Sequence, residues 1–191
     1  MTVTGIILAG GKSSRIGQNK ALLELSGKKI IEIIYEKISP LFNDVIIISN
    51  ILEDYKFMKL KIYKDIYLGL GPLAGIHSGL INSRTEKNFI ISCDLPLITR
   101  EAVDYIKNFN SDKSVVIYKK SGRIQFLCGI YNKKCLPVLD DLLKSNNLKV
   151  RDFIAKIDVE ILDAEIFPDE IFFNLNTIQD YNYLLKRIQS V

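Results

Sequence analysis

Short runs of β-branched and aliphatic residues recur along this chain, at Gly5 to Leu8, Val45 to Ile48, Lys61 to Tyr63, Phe89 to Ser92 and Val115 to Tyr118, with helical patterns between most of them. Strands that alternate with helices pack as α/β layers. Phe89, Ile90 and Ile91 show no polar alternation, which is the pattern of a strand covered on both faces. Ile30, Ile31, Ile33, Ile34 and Ile38 fit a helix with a broad buried face. The fold class is therefore α/β, three-layered α/β/α with a mostly parallel sheet. Ligands of such sheets bind beyond the carboxyl ends of the strands. Residues 9–20, Asn50, Asp65 and Asp94 all fall there and can converge.

The second half departs from simple alternation. The turn Ser121-Gly122-Arg123 precedes an extended Gln125 to Tyr131, which predicts an inserted hairpin rather than another crossover helix. Leu136 to Leu143 and Val150 to Ile157 read as helices, and Val159 to Leu162 as a strand whose partner the pattern does not name. Thr177 and Asp180 resemble a capping box opening an amphipathic helix with Ile178, Tyr181, Leu184, Leu185 and Ile188 on one face. No repeat or linker interrupts the chain, so residues 1–191 are expected to form one domain.

Composition narrows the function. A hydrophobic content of 48% supports a proper core without staples. The three cysteines, Cys93, Cys128 and Cys135, lack CxxC spacing and make no complete disulfide framework, consistent with a reducing cytoplasm. No secretory leader is expected, and no apolar run approaches the roughly 20 residues of a membrane span. The net charge of +4 is scattered rather than gathered into a basic arm, which argues against nucleic acid. The single histidine, His77, excludes a multi-histidine metal site and is expected as a packed or solvated helix residue.

The chemistry concentrates in Leu8 to Leu23, LAGGKSSRIGQNKALL. Gly10 and Gly11 allow the backbone to approach a ligand closely, so that successive N–H groups converge on an anion. Arg15 adds a planar fork for two oxygens and Lys20 a point charge, a set suited to a nucleotide triphosphate; the alternative is a strand-to-helix turn with a solvated basic face. Gly11-Lys12-Ser13 imitates the end of a P-loop, but Ile6 stands where the opening glycine belongs. Gly69, Gly71 and Gly75 exceed the dinucleotide spacing by one residue; with Pro72 they describe a tight turn and a helix start, serving either as a plain structural turn or as a ligand contact. In Phe89 to Leu97, FIISCDLPL, Asp94 stands just beyond a buried strand. A lone carboxylate there suits either a helix N-cap or magnesium, which keeps waters and substrate phosphates as its other ligands. Asp65, after the preceding strand, is placed to join the metal through water or to bind a sugar hydroxyl.

In order along the chain, LAGGKSSRIGQNKALL, GPLAGI, ISCDLPLI, the partial FLCGIY and NLNT resemble the molybdenum cofactor guanylyltransferase family, within the nucleotidyltransferase superfamily, over nearly the whole length. The resemblance implies a Rossmann-like fold and transfer of GMP from GTP to the phosphate of molybdenum-bound molybdopterin, with Mg²⁺ required and pyrophosphate released. It implies that Leu8, Ala9 and Gly10 meet the guanine nucleotide through backbone groups, that Lys20 holds its phosphates, that Asp65 contacts the nucleotide and that Asp94 ligates magnesium. Asn174 and Asn176 of NLNT fall towards the pterin, where the alternative is turn chemistry. Either Lys149 or Arg151 matches a basic residue directed at the pterin phosphate. Molybdoenzyme chaperones or cofactor-insertion proteins are the implied transient partners. The chain departs from the family where HPL often stands: it has Gln125, Phe126 and Leu127. Cytidylyl transfer, a sugar-phosphate nucleotidylyltransferase and a non-catalytic nucleotide- or pterin-binding module are the alternatives.

Overall fold

The structure is a computed structural model that describes residues 2–10 and 19–189. In chain order its elements are β1 (Val3–Leu8), the short hairpin β2 (Glu24–Leu25) and β3 (Lys28–Lys29), α1 (Ile30–Ile38), β4 (Asp44–Ile48), β5 (Lys61–Tyr63), α2 (Pro72–Asn82), β6 (Lys87–Ser92), α3 (Arg100–Asn108), β7 (Val115–Lys120), β8 (Arg123–Asn132), α4 (Leu136–Lys144), α5 (Val150–Ile154), β9 (Val159–Asp163) and α6 (Ile178–Gln189).

Seven strands form one sheet in the order β5-β4-β1-β6-β8-β7-β9. The pairs β1 with β4, β1 with β6, β4 with β5 and β7 with β9 are parallel, and β8 runs antiparallel to both β6 and β7. The absence of polar alternation now has its cause. Val3 and Ile7, Val45 and Ile47, Phe89 and Ile91, Val116 and Tyr118 face a core shared with α1 and α3. The intervening Ile6 and Leu8, Ile46 and Ile48, Ile90, Val115 and Ile117 face a second core shared with α2, α4 and α5. Successive side chains leave a strand on opposite sides, so a strand between two helical layers is apolar throughout.

The predicted α/β/α architecture and the inserted hairpin are both present. Ser121 and Gly122 have φ of 48° and 75°, the left-handed pair of a tight two-residue hairpin that returns β7 into β8. The strand at Val159 pairs in parallel with β7, from Val115↔Val159 to Lys119↔Asp163. The helix expected over 150–157 is shorter, ending at Ile154, because Asp158 already begins the β7 contacts: Val115 N–H donates to its carbonyl and Ser114 N–H to its carboxylate. Thr177 and Asp180 form the expected cap, with Asp180 N–H donating to Thr177 Oγ1 and Thr177 N–H to Asp180 Oδ2. Helix α2 lies close on β1: a Cβ at Gly79 would stand 2.8 Å from Ile6 Cγ2. Among the described residues no helix is long and apolar enough to cross a membrane.

Candidate nucleotide site

The chain leaves β1 and builds β4 and β5 on one side of it, then returns to place β6 on the other. Where the strand order reverses, the segments beyond the carboxyl ends of two adjacent strands diverge and open a crevice. The register Leu8↔Ser92 sets the exits of β1 and β6 side by side, and Cys93 N–H donates to Leu8 carbonyl at 3.0 Å.

Backbone groups at the exit of β1 are already engaged. Ala9 N–H donates to Ile48 carbonyl at 2.9 Å, and Ala9 carbonyl accepts from the Tyr55 hydroxyl at 2.9 Å. Gly10 is exposed, and no atom of the described residues, its chain neighbours aside, comes within 4 Å of where its side chain would stand. Gly11 and Arg15 lie outside the described residues. The chain re-enters at Asn19, whose side-chain oxygen accepts from Ala21 N–H and so caps the single helical turn Lys20–Leu22. Lys20 is the first residue of that turn. Its Nζ lies 2.9 Å from Asp94 Oδ2, both side chains being mostly buried, and 3.5 Å from Asn176 Oδ1.

Asp94 is held from two further directions. Its own carbonyl accepts from Leu175 N–H at 2.8 Å, and the turn that follows is fastened by Lys37, whose Nζ donates to Pro96 carbonyl at 2.8 Å. Burial holds the Lys37 ammonium below its ordinary pKa. Leu175 is fully buried, so the chain on either side is anchored where Asn176 meets Lys20. The preceding stretch is tied down by Lys120, at the end of β7, which is buried and contacts Glu165 and Asp169 carboxylates at 3.0 Å each and the Phe167 carbonyl at 2.7 Å. Asn174 does not join the Lys20 cluster; it is exposed and its Nδ2 donates to Phe172 carbonyl, which is turn chemistry.

Beyond the neighbouring strands, Asn50 and Asp65 form a reciprocal pair. Asn50 Nδ2 donates to Asp65 Oδ2 at 2.8 Å, and Asp65 N–H donates to Asn50 Oδ1 at 3.0 Å. Partial burial pushes the Asp65 carboxyl above its ordinary pKa, against the opposing effect of the Asn50 hydrogen bond. Gly75 of α2 lies against this corner: a Cβ there would be 3.3 Å from Leu8 Cδ2 and 3.8 Å from Asp65 Oδ1. On the other side of Asp94 the β7–β8 register jumps, Ile117 facing Gly129 and Tyr118 facing Gln125, so Phe126 to Cys128 bulge next to β6. Phe126 and Leu127 are half-buried and pack against the core that contains Leu8, Leu73 and Ile90. Lys149 and Arg151 are exposed at the start of α5.

His77 is buried on α2, packed rather than solvated. Its Nε2 lies 3.1 Å from Asp140 Oδ1 on α4, and Tyr67 hydroxyl donates to the same oxygen at 3.0 Å. Tyr55 is the site residue that sequence patterning missed. An isolated tyrosine in the short helical turn Glu53–Met58 carries no motif, and its contact to Ala9 depends on the β1–β4 pairing.

Among the described residues no group of three or more histidine, cysteine, aspartate or glutamate side chains gathers to cage a metal. The available chemistry is one carboxylate, Asp94, beside a cation. That donor set fits a hard oxygen-seeking ion that keeps waters and takes its remaining ligands from a polyphosphate.

A parallel sheet with a glycine-bearing exit from β1, a lysine and a carboxylate at its switch point defines a nucleotide-binding α/β protein, and comparison with known proteins sharpens the class to a nucleotidyltransferase. The chain belongs to the MobA-like NTP transferase domain family, whose model matches residues 5–161. A protein of Carboxydothermus hydrogenoformans named "Probable molybdenum cofactor guanylyltransferase" is 39% identical over 189 residues, covering 96% of this chain and 95% of that one. A protein of the same name from Clostridium perfringens strain 13 is 36% identical, covering 95% of each. Among solved structures, a protein of Aquifex aeolicus VF5 is 29% identical with a TM-score of 0.80, covering 92% of this chain and 94% of its own. The molybdopterin-guanine dinucleotide biosynthesis protein A of Archaeoglobus fulgidus shares the fold with a TM-score of 0.85 at 22% identity, covering 99% and 100%.

Proposed function

We propose that this chain transfers GMP from GTP to the phosphate of molybdenum-bound molybdopterin, forming the guanine dinucleotide cofactor and pyrophosphate, with residues 1–191 acting as one domain. The observation that carries this reading is the meeting of Lys20 and Asp94 at 2.9 Å in the switch-point crevice, in a chain whose relatives bear the guanylyltransferase name.

In this reading an oxygen of the acceptor phosphate attacks the α-phosphorus of GTP in line, the new P–O bond forms, and the bond to the β-phosphate oxygen breaks. Two anions must meet, so catalysis is positioning and charge compensation. Lys20, with Arg15, holds the phosphates and steadies the leaving pyrophosphate. The backbone of Leu8, Ala9, Gly10 and Gly11 lines the nucleotide. Asp65, paired with Asn50, meets its nucleoside part. Asp94 is the ligand for Mg²⁺, which when bound offsets charge on the polyphosphate. A phosphate monoester is largely ionised near neutral pH, so no strong general base is needed. Asn176 and Asn174 lie towards the pterin, and Lys149 or Arg151 meets its phosphate. Phe126 and Leu127 present an apolar wall on the acceptor side. Cytoplasmic hand-off to molybdoenzyme chaperones or cofactor-insertion proteins completes the proposal.

The deciding experiment incubates the protein with Mg²⁺, molybdenum-loaded molybdopterin and either GTP or CTP, and follows pyrophosphate and dinucleotide product. Product with GTP well above that with CTP is expected. Equal turnover of the two nucleotides, or product only with a sugar phosphate as acceptor, defeats the reading.

A further inference from the structure

We propose that Tyr55 is a positioning residue for nucleotide binding, its hydroxyl latching Ala9, at the exit of β1, to Asn19, which caps the segment that carries Lys20; this rests on the nucleotidyl-transfer reading above. The hydroxyl donates to Ala9 carbonyl, at the exit of β1, at 2.9 Å. It accepts from Asn19 Nδ2, where the chain re-enters, also at 2.9 Å. One buried O–H thus spans residues 9 and 19 through a side chain that belongs to neither.

The Asn19 amide is committed on every side. Its Nδ2 donates to Tyr55 and to Asp54 Oδ2 at 2.9 Å, and its Oδ1 accepts from Ala21 N–H at 3.2 Å. Two donors and one acceptor are all used, so the amide has a single workable orientation. That orientation sets the turn Lys20–Leu22 and with it the Lys20 ammonium facing Asp94. The tyrosine ring is fully buried in the core with Ile7, Ala9 and Ala21. A phenylalanine would fill that volume equally well, so packing alone gives no reason for the hydroxyl. Burial also raises its pKa far above the usual phenol range, which keeps the proton available for Ala9. A Lys20 ammonium fixed before the ligand arrives lowers the ordering cost that binding must meet.

The test compares Tyr55→Phe with Tyr118→Phe. Tyr118 is a matched control, since its buried hydroxyl donates to Ala102 carbonyl at 2.6 Å away from the segment. Affinities for GTP and for inorganic pyrophosphate, both with Mg²⁺, are measured by calorimetry beside melting temperatures. Loss of one buried hydrogen bond at the latch predicts a roughly five- to thirtyfold weaker binding of both ligands by Tyr55→Phe. Tyr118→Phe should lower the melting temperature and leave both affinities at wild-type values. Asn19→Ala reaches the same latch from its other end and should reproduce the loss if Tyr55→Phe fails to fold. Wild-type affinity in the latch variants, or equal weakening in Tyr118→Phe, overturns the proposal, as does a wild-type protein that binds neither ligand. A wild type that binds pyrophosphate but not GTP strikes the guanylyl reading, and the latch is then decided on pyrophosphate alone.

Discussion

Lys20 Nζ and Asp94 Oδ2 stand 2.9 Å apart although 74 residues separate them in the chain. Neither side chain reaches the other through local structure. The pair exists because β1 and β6 are hydrogen-bonded neighbours, and because Asn19 and Leu175 fix the turns that carry them. Opposite charges held in this way pre-arrange the two groups that a metal-bound triphosphate needs, so binding does not have to assemble them.

Asp94→Asn keeps the shape of the side chain and removes its charge. Folding should be intact, with transfer reduced by about a hundredfold or more for loss of the metal ligand. Pyrophosphate release and thermal melting, measured together, check this; unchanged turnover removes the proposed metal role.

Lys20→Met should act chiefly on the nucleotide's phosphates. GTP binding is expected to weaken roughly tenfold to a hundredfold, the usual scale for losing a charged hydrogen bond. The capped turn around it should persist, since Asn19 and Ala21 are untouched. Equal KM and kcat values in variant and wild type would show that the ammonium serves the fold alone.

Gly79→Ala tests the contact between α2 and β1. The new methyl would lie 2.8 Å from Ile6 Cγ2 and 3.1 Å from Ile6 Cδ1, and Ile6 is fully buried. Overpacking costs about 1–3 kcal/mol, against a helix-propensity gain of about 1 kcal/mol. Urea unfolding should show a net loss, and Gly75→Ala, whose methyl would meet Leu8 Cδ2 at 3.3 Å, a smaller one.

His77 gives the protein an acid-sensitive joint. Burial lowers its pKa below 6.5; the Asp140 carboxylate opposes this and Lys144 adds to it. Its Nδ1 is buried without a hydrogen-bond partner, so the charged ring would strand an extra proton. The unfolded chain therefore binds a proton that the folded one resists, and stability falls as pH drops below the unfolded value of 6.5. Denaturant unfolding between pH 7 and 5 should show a slope of at most about 1.4 kcal/mol per pH unit from this group. His77→Gln should flatten that component, and an unaltered slope would assign it elsewhere.

Much was legible in local order. The unalternated run of Phe89 to Ile91 announced a strand buried on both faces, Ser121-Gly122 announced the hairpin, and Thr177 with Asp180 announced the last helix, because each is decided by neighbours in the chain. The glycine segment and Asp94 could also be named as chemistry. Which asparagine of NLNT meets Lys20 could not, since Asn174 and Asn176 are equivalent in pattern and separate only when Leu175 is buried beneath Asp94.

The sequence by itself determined an α/β chain, the order of its strands along the backbone and the residue types available for phosphate and metal. Tertiary structure alone decided their company: the strand order that puts β6 beside β1, the partner of β9, the bulge at Phe126 and the Tyr55 hydroxyl between Ala9 and Asn19. Local propensity acts over a few residues, whereas these contacts join segments tens of residues apart and form only when the two apolar cores close over the sheet.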